Sequence, residues 1–149
     1  MKDKFVTPKF LDYLDQRLDL PAVYVNDLLK ERTILEVAEY LIEKKVYDKE
    51  TIGKAFGEYM GYTYVDINNV VFDPKYMTSL SIDYLKSNFV LPLFKFGNAV
   101  TVATSDPANP FLQGNIEKQL HSVVSLVFSF PNDIINFIEK NYNNILEKV

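Results

Sequence analysis

The chain has 149 residues, about the size of one domain or of two very small lobes. Hydrophobic residues make up 48% and charged residues 24%, which is ordinary for a globular protein and excludes a disordered or collagenous chain. The net charge is −4 with 0 Cys and 1 His; this excludes disulfides, thiolate zinc sites and cysteine nucleophiles, and removes the basic balance that duplex binding needs.

The first half reads as helices. Thr7-Pro8 is a start signal, with Thr as cap and Pro at the first helical position. Phe10, Leu11, Leu14 and Leu18 follow at helical spacing, and Leu20-Pro21 ends the run. A short helix is expected from Asp27 to Arg32. Thr33 and Glu36 are spaced as a capping box before the stripe Ile34, Leu35, Val37, Ala38, Leu41 and Ile42. Lys44 and Lys45 close that helix, where positive charge suits the C-terminus. Asp48 caps the next one, which buries Ile52, Ala55, Phe56, Tyr59 and Met60, and Gly61 is placed to end it in a left-handed conformation.

The texture changes at Tyr62. Tyr62 to Ile67 alternates as a short strand. Asp73-Pro74 opens a helical turn, and Ser81 caps another around Ile82 and Leu85. Phe89–Phe96 and Ala99–Thr104 form a hairpin across Gly97-Asn98, with Gly at the first turn position of a type II′ turn. Pro92 lacks an amide proton, so its strand belongs at an edge or is irregular there. Asn109-Pro110 starts a helix with Phe111, Leu112, Ile116 and Leu120. Val123–Phe130 is a third strand. Pro131 opens a final helix with the stripe Ile134, Ile135, Phe137, Ile138, Tyr142, Ile145 and Leu146. The expected fold class is α+β, with a helical lobe over 1–61 and an α+β sandwich lobe over 62–149, packed together as one domain.

Chemistry-bearing motifs are missing. Neither phosphate-cradling glycine pattern is present. His121 has no second His or Cys to complete a metal or nucleophilic site, and Asp73 and Asp106, each before Pro, read as caps. Gly53, Gly57 and Gly61 at spacing four indicate close packing. No catalytic residue, metal or cofactor is expected. Tyr40, Tyr47, Tyr59, Tyr62 and Tyr64 lie around the lobe boundary and are candidate docking residues, because tyrosine combines apolar area with a hydroxyl. Residues 1–20 have no apolar run that would serve as a signal, and no stretch is long enough to span a membrane. A cytoplasmic protein without direct membrane insertion is expected.

Three segments carry a family resemblance. They are GYTYVDI (Gly61–Ile67), VLPLFKFGNAVTVATSDPANP (Val90–Pro110) and VVSLVFSFPNDIINFIEKNY (Val123–Tyr142). In order and spacing they resemble the N-terminal domain of the type II secretion and type IV pilus assembly ATPases, an MshEN-type domain. The resemblance implies a non-enzymatic docking role at the inner face of the inner membrane. Its implied partners are the cytoplasmic domain of an inner-membrane platform protein and downstream ATPase domains. Nucleic acid is not an expected partner. Some members of this family bind cyclic di-GMP through a helical motif of Arg, two Gly and a Gln. Aligned back from Val65-Asp66-Ile67, those positions hold Glu36, Ala38, Lys45 and Tyr59, while Leu41, Ile52 and Phe56 keep the apolar scaffold. A carboxylate in place of a phosphate-binding arginine inverts the local charge, so the motif reads as degenerate.

Overall fold

The computed structural model describes residues 6–30 and 32–148, with side chains over 7–30 and 32–143. The chain divides into two compact units, Met1–Gly61 and Tyr62–Val149.

In the first unit, α1 (Val6–Leu18) starts one residue before Thr7, so Thr7 is not its cap. The Thr7 hydroxyl instead donates to the Arg32 carbonyl at 2.8 Å, tying the start of the helix to a distant loop. Phe10, Leu11 and Leu14 are buried as the spacing requires. A 3-10 turn (Ala22–Tyr24) leads into α2 (Val25–Leu28), which lies earlier than the expected 27–32. The displacement has a physical reason. Leu28 is fully buried, and Thr33 must be extended (ψ 162) to cap the next helix, so helix cannot continue through Arg32.

Helix α3 (Ile34–Glu43) opens on the expected capping box: Thr33 Oγ1 accepts from Glu36 N at 3.1 Å, and Glu36 Oε1 accepts from Thr33 N at 3.0 Å. Val37, Ala38 and Leu41 are buried, whereas Ile34, Leu35 and Ile42 are half-buried. Helix α4 (Lys49–Met60) is capped by Asp48 and ends at Gly61, whose φ of 85° is the left-handed conformation glycine tolerates. Gly53 and Gly57 are buried, while Tyr59 and Met60 are half-buried. Helix α1 packs on α3 and α4. Phe10 meets Phe56 edge-to-face, with centroids 5.6 Å apart.

In the second unit the strand expected over Tyr62–Ile67 shrinks to one parallel bridge, Tyr64 to Phe128. Val65 N donates to Phe128 O at 2.9 Å and Phe128 N to Thr63 O at 2.8 Å. Asp66 then turns the chain away: its carboxylate accepts from Asn68 N and from Asn69 Nδ2, closing a 3-10 turn that buries Ile67. Asp73 caps α5 (Pro74–Met77) and Ser81 caps α6 (Ile82–Asn88). Phe89 is left-handed (φ 51) as the C-cap of α6, so β1 runs Val90–Phe96 and excludes it.

Strands β1 and β2 (Ala99–Thr104) pair antiparallel, and of the two turn residues only Gly97 has positive φ. The register slips between Pro92 and Phe94, on an edge strand, as a missing amide proton requires. Helix α7 (Leu112–Leu120) starts later than expected. Asn109 Oδ1 accepts from Phe111 N at 3.1 Å, which leaves Phe111 before the first turn and outside the core. His121 ends α7 in a left-handed conformation (φ 51). Strand β3 (Val123–Phe128) pairs parallel to β2 and ends two residues early, because Ser129 N turns to Thr104 O. Helix α8 (Pro131–Lys148) buries Ile134, Ile138 and Tyr142, whose hydroxyl donates to Leu80 O at 2.8 Å. Ile145 and Leu146 lie outside the described side chains. The order β1-β2-β3 with its helices is an α+β fold.

Candidate functional site

The tyrosines singled out in the sequence have different surroundings. Tyr40, on α3, donates from its hydroxyl to Asp27 Oδ2 at 3.3 Å. Its ring lies 4.6 Å from the Arg32 guanidinium carbon and 5.7 Å from Lys44 Nζ, and meets Tyr24 edge-to-face. The hydrogen bond and charge of Lys30, followed by the Tyr40 hydroxyl and the Arg32 charge, hold the Asp27 carboxyl below its ordinary value. The Tyr47 hydroxyl donates to Leu18 O at 2.9 Å, and burial, then the charges of Asp19 and Asp15, raise its pKa. Tyr59 packs against Phe10 and Tyr13, with centroids 5.0 and 5.2 Å away. In the second unit, Tyr62 is half-buried and Tyr64 lies against Phe128 and Phe130. Within the first unit, these contacts of Tyr40, Tyr47 and Tyr59 have no residue in common.

The degenerate motif positions are also placed. The Glu36 carboxylate is a capping acceptor for the Thr33 amide. Ala38 is fully buried. Lys45, at the second glycine position, is exposed and takes φ 58°, a backbone conformation that glycine favours. Tyr59 is fixed by its aromatic neighbours. The four positions therefore present no converging polar groups of the Arg–Gln kind, although the chain takes a left-handed turn at Lys45 between α3 and α4.

Both edges of the sheet are occupied over part of their length. Asp73 N donates to Leu93 O on β1. On β3, Gln113 Nε2 donates to Val124 O at 2.8 Å and Glu117 Oε2 accepts from Val124 N at 2.9 Å. Register pairs Phe96 with Ala99 and Ala99 with Val123, and Phe94 with Thr101 and Thr101 with Ser125. These two rows share one face, on which Phe96 is 81% and Val123 52% exposed. The alternation Val123-Val124-Ser125 carried the signal, but without the pairing of β3 it gave no partner for Phe96. Among the described residues no three His, Asp or Glu gather as metal ligands, and no helix is long and apolar enough to cross a membrane.

The MshEN domain model matches residues 60–147. The structure of MshE with cdg aligns with TM-score 0.68 at 16% identity, covering 89% of this chain and 98% of that one. Two crystal forms of the N-terminal domain of XpsE align with TM-scores 0.52 and 0.57, at 18% and 16% identity. They cover 93% and 95% of this chain and 98% of each of those chains. At these identities the likeness shows a shared fold. No curated protein sequence matches. The matched segment begins just after Tyr59, so the degenerate motif positions precede it. The match is to an N-terminal domain of secretion and pilus ATPases, not to a catalytic domain, and since it spans more than half of the sequence, the chain belongs to the MshEN domain family.

Proposed function

We propose that the chain is a non-enzymatic docking domain that links a secretion or pilus assembly ATPase to the cytoplasmic domain of an inner-membrane platform protein. The observation that carries this reading is the membership of residues 60–147 in the MshEN family, combined with the local chemistry at the motif positions. Glu36 stands where a phosphate-binding arginine would be needed, and its carboxylate is engaged at a helix N-terminus. A dianionic nucleotide gains nothing from that group. Docking through added strands is disfavoured, because Asp73, Gln113 and Glu117 occupy backbone groups on both sheet edges and Lys95 stands on the rest of β1. A face of the domain is the better surface. Natural placement is then the cytoplasmic side of the inner membrane, reached through the partner. The test is a pull-down with the cytoplasmic domains of the platform proteins. Retention supports the reading, and a domain that ignores all of them removes it.

A second reading, a cyclic-di-GMP sensor, is favoured by one observation: Lys45, at a motif glycine position, takes a left-handed backbone conformation that glycine favours. The similarity in fold to MshE, solved with cdg, points the same way. Calorimetric titration with cyclic di-GMP decides it. Saturable low-micromolar binding establishes the sensor, and absence of heat retires it.

A further inference from the structure

We draw no further inference here: the strongest candidate, the open sheet face of Phe96, Ala99 and Val123 at the hairpin end of the second unit, is an exposed apolar surface, and nothing in the structure shows what covers it.

Discussion

Glu117 holds the backbone amide of Val124: its Oε2 lies 2.9 Å from the nitrogen, while Gln113, one turn earlier on α7, donates to the carbonyl of the same residue. Helix side chains thus satisfy an edge residue of β3 that has no further strand beside it. Removing the carboxylate leaves a part-buried amide unpaired, which costs about 1–2 kcal/mol. Glu117→Ala should lower the denaturant midpoint accordingly, and hydrogen exchange at Val124 should accelerate. An unchanged exchange rate would show that solvent already reaches the amide.

The capping box of α3 explains why the motif cannot be rebuilt without loss. Glu36→Arg replaces a carboxylate that accepts the Thr33 amide with a cation at a helix N-terminus. The expected loss is about 0.5–1 kcal/mol, read by chemical denaturation. Thr33→Ala should cost about 1 kcal/mol at the same helix.

Left-handed residues give predictions of opposite sign. Lys45 and His121 hold φ of 58° and 51° with side chains attached, and Gly61 holds φ 85° without one. Lys45→Gly and His121→Gly should each stabilise the protein by up to about 1 kcal/mol. Gly61→Ala should destabilise it by a similar amount. A methyl group built at Gly61 meets nothing within 4 Å, so that loss is purely conformational. Thermal melts of the three variants check the signs.

Two carboxyls should shape stability against pH in opposite directions. Hydrogen bonding from Thr51, its backbone amide first, lowers the Asp48 pKa. Its contribution is present above the unfolded value of about 3.9 and is lost as pH falls through the folded value. Glu39 is raised, by burial first and then by the Glu36 charge. Its contribution is complete below about pH 4 and declines as pH rises through the folded value. Asp48→Asn should therefore flatten the acid limb of the stability curve, and Glu39→Gln should stabilise near neutrality. Urea midpoints between pH 3 and 7 measure both.

Local rules carried much of the fold. Thr33 with Glu36, Asp48, Ser81 and Gly61 cap their helices as expected, and Gly97 turns the hairpin. The misses arise where distant groups compete. Thr7-Pro8 has the local signature of a helix cap, but the acceptor that takes the Thr7 hydroxyl, the Arg32 carbonyl, is 25 residues away. Tyr62–Ile67 alternates like a strand, but Asp66 closes a turn after a single bridge to Phe128. Phe89 fits the start of a strand and Phe111 the apolar stripe of a helix, yet both are cap residues. The row of Phe96, Ala99 and Val123 is illegible for a related reason: no local pattern says that β3 pairs parallel to β2, which alone aligns Val123 with Ala99 and Phe96.

The most direct measurement is calorimetric titration of the platform protein's cytoplasmic domain into this chain. The docking account predicts saturable one-to-one binding that persists without any nucleotide. Absence of binding, together with saturable binding of cyclic di-GMP, would contradict it and make the chain a sensor.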